Sequence, residues 1–266
     1  MEMILEFLLT IFIVGFVTAG INIKFDRFFS ILLLLFLFKF TIFDAINVFL
    51  WIIMLGALMV ILTNKDKISS LPKSMKIKLF VMIPIFTLIA TFFGSWLFSL
   101  SGSSVLIIVL GILAVLYGLR LAFIHFKKKE LDLQNENPVI AKFCGFFGPI
   151  LSGFSIGFIG TSLKPLKIPF AIKIGKMNAK KVYLGNTITT FFASFFAIMW
   201  HFSFTNGMTM DIFYNQMLLG AALWTGMHYV FEITNLFFND KWRRGFQILI
   251  GIILILISIK VFMLVV

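Results

Sequence analysis

Apolar runs about the length of a bilayer crossing, separated by short stretches rich in lysine and arginine, constrain this chain more than any other feature. The long runs cover 3–23, 45–63, 79–98, 105–124, 143–163, 182–201, 214–236 and 246–266. Roughly 30 Å of hydrocarbon calls for about 20 apolar residues per helix. A lipid-exposed backbone must also satisfy its own hydrogen bonds, so each run reads as a helix. Eight crossings would use about 160 residues, close to the whole apolar inventory of a 266-residue chain that is 61% hydrophobic. No soluble core of this size hides 36 phenylalanines, and only 13% of residues are charged, against about 25% in soluble domains. A soluble enzyme, a disulfide scaffold, a disordered chain and a nucleic-acid module are excluded. The fold class expected is an all-α polytopic membrane protein forming one integral membrane domain over 1–266.

The formal net charge of +12 sits mainly between the apolar runs. Loops 64–78, 125–142 and 239–245 are basic, which marks them as cytoplasmic. Loop 203–213 has no lysine or arginine and carries Asp211, so it is expected outside. The termini are then both outside, and a plasma (inner) membrane location is expected. The chain starts with Glu2 and Glu6 rather than a basic segment, so Met1 onward is read as mature chain and not a cleaved leader. Cys144 is the one cysteine, so no intrachain disulfide forms and no thiol metal cluster is expected.

A shift of 140 residues places the first half on the second. Gly20, Asn22 and Lys24 fall on Gly160, Ser162 and Lys164; Arg27 falls on Lys167; Gly111 falls on Gly251; Arg120 falls on Lys260. Asn47 and Asn186 pair one residue out of step. The repeats read as 1–126 and 143–266, joined by a cytoplasmic linker at 127–142. The run at 45–63 ends in an inside loop, whereas its counterpart at 182–201 ends in an outside loop. The two copies are therefore expected to be inverted, each with four full crossings and one short element. Inverted repeats with short, Gly/Pro-interrupted segments in equivalent positions point to a transport site. The short elements are 28–38, eleven residues or about 16 Å of helix, and 164–181, with Pro165, Pro169 and six lysines. Each is either a short crossing or the return arm of a hairpin.

The chemistry-bearing pattern recurs in both halves: glycine, a small polar residue, a lysine, and a second base three positions on. Gly15 and Gly20 in one half, and Gly157 and Gly160 in the other, are expected at helix breaks, where freed N–H groups attract anions. Asn22, Lys24, Arg27, Thr161, Ser162, Lys164 and Lys167 are the candidate substrate ligands, with Asn47 and Asn186 as further donors. The plainer readings stand beside these. Lys24 and Arg27 mark the cytoplasmic end of a helix, Asn47 and Asn186 cap helices, and Thr187, Thr189 and Thr190 bond back to helix carbonyls. Lys173, Lys176, Lys180 and Lys181 read as inside-loop charges, and His201 as an interfacial residue. Asp44 and Glu232 could carry a coupling proton, with caps or ion pairs as the simpler roles.

The segments 148–160 (Gly-Pro-Ile-Leu-Ser-Gly-Phe-Ser-Ile-Gly-Phe-Ile-Gly) and 184–190 (Leu-Gly-Asn-Thr-Ile-Thr-Thr), with Leu219-Gly220-Ala221-Ala222 and Gly251-Ile252-Ile253, carry a resemblance to a known family. The chain resembles the sulfite exporter TauE/SafE family, small anion permeases also called the toluene sulfonate uptake permease group. The resemblance covers almost the whole chain and implies movement of sulfite, thiosulfate or organosulfonates. The sequence departs from the family pattern where consecutive glycines and an alanine-threonine-serine helix start are usual. It has Gly20-Ile21-Asn22, Gly160-Thr161-Ser162, Ile46-Asn47 and Gly185-Asn186-Thr187 there.

The function expected is secondary transport of a small sulfur-containing anion by alternating access. A passive anion channel and a non-transporting scaffold or assembly protein are the alternatives. No P-loop sequence is present, and neither a His cluster nor paired carboxylates point to an enzyme. No metal and no cofactor are expected. The partners expected are the anion and the lipid bilayer, without nucleic acid, and with a homodimer as an allowed assembly.

Overall fold

A computed structural model describes residues 2–21, 28–124, 136–205 and 207–263. No strand occurs among the described residues. In chain order the helices are α1 (Glu2–Gly20), α2 (Phe28–Phe36), α3 (Ile42–Thr63), α4 (Lys65–Ser69), α5 (Lys73–Leu100) and α6 (Ser103–Phe123). There follow α7 (Pro138–Ile159), α8 (Lys164–Pro169, prolonged by a wide turn Phe170–Ile174), α9 (Ala179–Phe204), α10 (Met210–Asn235) and α11 (Asp240–Phe262). Six are long and apolar enough to cross a membrane: α3, α5 and α6 from the first half, and α7, α9 and most of α11 from the second. The chain is thus an all-helical polytopic membrane protein. The first helix is a shorter apolar segment, Ile4–Gly20. The 26-residue α10 has the length, but Asp211, Gln216, His228 and Glu232 interrupt its hydropathy.

Local sequence explains the helix ends. The Asn137 side chain accepts from the Val139 and Ile140 amides at 3.1 and 3.3 Å, and Pro138 opens α7 without an orphan N–H. Gly160, at φ +73°, ends it in the left-handed region that glycine enters at no steric cost. Asn178 caps α9, accepting from the Lys180 and Lys181 amides at 3.0 and 3.4 Å. At α3 the cap is reciprocal: the Thr41 hydroxyl donates to Asp44 Oδ2 at 2.6 Å while the Asp44 amide donates to Thr41 Oγ1 at 3.1 Å. Asn47 and Asn186 therefore lie inside their helices, and other residues do the capping.

The chain packs as two compact units, each drawing helices from both sequence halves. One holds α1, α2, α3 through Gly56, α6, α10 and α11. Here α6 and α11 approach backbone to backbone. A Cβ on Gly118 would stand 2.5 Å from the Gly251 carbonyl oxygen, and one on Gly251 would stand 2.7 Å from that of Gly118. Lipid is as apolar as leucine, so such close packing, not hydrophobicity, holds membrane helices together. Arg244 donates to the Leu121 and Ala122 carbonyls at 3.2 and 2.8 Å, satisfying the last turn of α6. Arg243 and Gln247 do the same for the end of α1, at Ala19 and Ile21. Gly15 of α1 abuts Val230 of α10, and α2 is buried through Phe28, Ile31, Leu32 and Leu34.

The other unit holds the end of α3 from Ala57, with α4, α5, α7, α8 and α9. Helices α5 and α7 meet where a Cβ on Gly157 would stand 2.6 Å from the Thr91 carbonyl oxygen, and one on Gly153 3.0 Å from the Ala90 methyl. Buried threonines on α5 and α9 bond back to their own helices, as expected for Thr189 and Thr190: Thr91 to Thr87 O at 2.7 Å, Thr189 to Gly185 O and Thr190 to Asn186 O, both at 2.8 Å. These threonine side chains thus enter the unit with their hydroxyl protons satisfied.

His201, in the last turn of α9, is buried among the helices. It is 1% exposed, its Nε2 lies 2.6 Å from the Gly157 carbonyl oxygen, and its ring stacks on Phe98 at 4.0 Å between centroids. It closes a carbonyl that α7 leaves free in its last turn.

Candidate functional site

The second unit carries an open cavity of about 1350 Å³, walled by α5, α7, α8 and α9. Its position follows from a hairpin. Helix α7 has 22 residues, about 33 Å at 1.5 Å each. After Gly160 the chain turns back through α8, and the Gly175 carbonyl accepts from the Asn137 amide at 3.0 Å. The two arms therefore begin and end together, and 164–174 is a return arm running beside α7. This return brings Lys167 to the middle of α7. Its ammonium donates to the Gly148 carbonyl at 3.4 Å and to the Ser152 hydroxyl.

The lysines of the cavity form a file along one face of α7. Lys142 stands near its start. The Lys78 ammonium lies against Gly145, 2.5 Å from where a Cβ would be. The Lys167 ammonium lies against Gly148 and Ser152. Positions 142, 145, 148 and 152 are spaced by three or four, so they share a helix face. All but Ser152 line the cavity, as do Lys78 and Lys167. The steps carry positive charge from the basic end of the unit to mid-helix, over about 10 Å.

Compensation along this file is uneven. Lys181 also lines the cavity and pairs with Glu136 at 3.1 Å. No carboxylate pairs with Lys167 among the described residues, and its two neutral acceptors use two of the three ammonium donors. Asn186 contributes a second unmet group, an amide oxygen that is buried without a donor. The other walls are apolar, among them Phe86, Phe93, Phe147, Leu151 and Phe170. A cation in such surroundings is costly unless an anion or hydrogen bonds offset it.

The predicted residues separate into groups. Lys167 and Asn186 come together at the cavity. Lys164 is half-buried one turn before Lys167, at the start of α8. Thr161 and Ser162 are buried in the turn between α7 and α8, where the Thr161 hydroxyl faces the Ser162 carbonyl at 3.5 Å. Asn47 is buried in α3, within the other unit. Asn22, Lys24 and Arg27 lie outside the described residues. Gly157 and Gly160 occupy the tight end of α7, and Gly15 and Gly20 pack against Val230 and Phe246.

The repeat pattern passed over the cavity residues Lys78, Lys142 and Glu136, and over Ser152, which binds the Lys167 ammonium. Lys78 and Lys142 read as loop charges in sequence. The face that Lys142 shares with Gly145 and Gly148 was a legible signal, since it needs only helical spacing, whereas Lys78 reaches it from α5 by tertiary packing. Lys173, Lys176 and Lys180 are exposed, as the loop reading expects. Comparison with protein-family models, curated proteins and solved structures finds no match.

Proposed function

We propose that the protein is a secondary transporter for a small sulfur-containing anion, such as sulfite, thiosulfate or an organosulfonate. It works by alternating access in the plasma membrane, as a relative of the TauE/SafE permeases. One observation carries this reading: the Lys167 ammonium sits beside the middle of α7 on a mostly apolar cavity, without a carboxylate partner among the described residues. An intramembrane cation of this kind is retained where an anion is to be neutralised. The file Lys142, Lys78, Lys167 gives that anion a route, and the Asn186 side chain can add its NH2 as a neutral donor beside it. Lys164, Thr161 and Ser162 flank the break, and Asn22, Lys24, Arg27 and Asn47 would be the first half's contribution.

The helix pairings favour a repeat. The first helix of each half packs on the fourth of the other, α1 on α10 and α7 on α5, while the two last helices, α6 and α11, pack on each other. The inversion of the copies rests on loop charge, basic after 45–63 and without lysine or arginine after 182–201. With basic ends cytoplasmic, both termini fall outside.

Flux into proteoliposomes tests the reading. The panel is sulfite, thiosulfate, methanesulfonate, toluenesulfonate and acetate. Saturable uptake with trans-stimulation by at least one sulfur anion is expected. Unitary currents without exchange would make the protein a channel, and absence of both flux and competition would remove the transport reading.

A further inference from the structure

We propose that the cavity of α5, α7, α8 and α9 takes an anionic amphiphile, with one acidic head group at Lys167 and an apolar body along the aromatic walls. This rests on the anion-transport reading above and narrows its substrate class. Three observations support it. The first is size. The cavity measures about 1350 Å³, beyond the range of about 300–1,000 Å³ that holds drug-sized ligands. A bare oxyanion is only a few times the roughly 30 Å³ of a water molecule, so it would leave most of the space empty.

The second is the distribution of polarity. Unpaired charge lies along the lysine file at α7, Lys181 being offset by Glu136, and the rest of the wall is mostly ring and aliphatic carbon. A small, strongly hydrated anion would lose its water shell here and regain one ammonium and an amide. An anion with an apolar body regains buried area as well.

The third is the opening. Phe93, Phe147, Leu151, Leu166 and Phe170 line the cavity and are themselves exposed, between 40% and 52%. Apolar side chains exposed on a membrane-spanning unit face hydrocarbon. The ligand can therefore enter sideways from the lipid, head group trailing toward the lysine file.

Cys144 provides the test, because it lines the cavity, is half-exposed, and is the chain's one cysteine. The full chain in neutral-lipid nanodiscs is labelled with N-ethylmaleimide and the rate is followed by intact mass. The probes are the methane-, butane-, octane- and dodecanesulfonates, with octanol as the uncharged tail and octyltrimethylammonium as the cationic one. Octanesulfonate is expected to slow labelling at least tenfold, and the half-protecting concentration to fall by up to about fourfold per added methylene until the chain outgrows the cavity. Octanol and the ammonium compound should protect at least tenfold more weakly. In Lys167→Gln the advantage of octanesulfonate over octanol should disappear, each protection being measured against that variant's own unprotected labelling rate. Protection by methanesulfonate equal to that by octanesulfonate would overturn the amphiphile claim and leave small-anion binding standing. Equal protection by octanol would overturn the role of the head group. Failure of every probe, with sulfur anions still transported in the flux assay, would overturn the site and leave the transport reading intact.

Discussion

Lys167 donates from its ammonium to the hydroxyl of Ser152, a residue 15 positions earlier on the facing arm of the same hairpin. Together with the Gly148 carbonyl, this holds a cation at mid-helix without neutralising it. A carboxylate in place of Ser152 would quench the charge, whereas a hydroxyl positions it and leaves it available to an anion.

Removing that charge should abolish transport while the fold survives. Lys167→Gln keeps a hydrogen-bond donor on a side chain one atom shorter and loses the charge. Uptake of the preferred anion in proteoliposomes is expected to fall at least tenfold, equivalent to about 1.4 kcal/mol or more of lost stabilisation. Ser152→Ala should cost less, roughly threefold, because the cation remains. Lys180→Gln, on an exposed lysine of the same basic end, should transport as the unmodified chain does. Equal losses in Lys167→Gln and Lys180→Gln would show a surface-charge effect instead of a site.

The α5–α7 contact should tolerate no added side chain. In Gly157→Val the new Cβ would lie 2.6 Å from the Thr91 carbonyl oxygen and 3.0 Å from the Ser95 amide nitrogen. Both are backbone, so the helices must separate, at a cost of about 1–3 kcal/mol. A clear drop in Tm in detergent is expected. Gly245→Ala is the counterpart, with open space around the position in α11. It should be neutral or stabilising by up to about 1 kcal/mol.

His201 should matter for stability rather than for proton movement. His201→Ala leaves the Gly157 carbonyl without its partner and empties the space beside Phe98. A loss of about 2–4 kcal/mol is expected. His201→Gln restores a donor and should recover part of that loss. Thermal denaturation of the three proteins measures the order, and an unaltered Tm in His201→Ala would contradict the capping role.

Asp44 is occupied by its cap. It accepts from Thr41 at 2.6 Å and, through Oδ1, from Gln216 at 3.2 Å. Asp44→Ala should cost about 0.5–2 kcal/mol, as other cap losses do, and should leave the pH profile of transport unchanged. A flattened profile would instead make Asp44 the carrier of a coupling proton.

Spacing and composition went far with some residues and not with others. The expected run at 79–98 lies within α5 and that at 105–124 overlaps α6 to within one residue at its end, because both depend on local chemistry. The assignment of four full crossings per half was coarser: three in each half meet the length and hydropathy of a crossing, α1 being short and α10 polar. Asn186 was singled out correctly as a residue to watch, but its plainer role as a cap belongs to Asn178, eight positions earlier. Lys164 and Lys167 were indistinguishable in sequence. Only the return of α8 along α7 places the second against Gly148 and Ser152.

By itself the sequence determined that this chain is helical and lies in a membrane, and which ends of its helices are basic. Hydrocarbon offers no partner to a free peptide group or charge, and that demand acts on each segment alone. Tertiary structure decided which helices pair and which single lysine enters the cavity. Both choices turn on close approach at glycines such as Gly157 and Gly118, a fit between surfaces distant in the chain that no periodicity records.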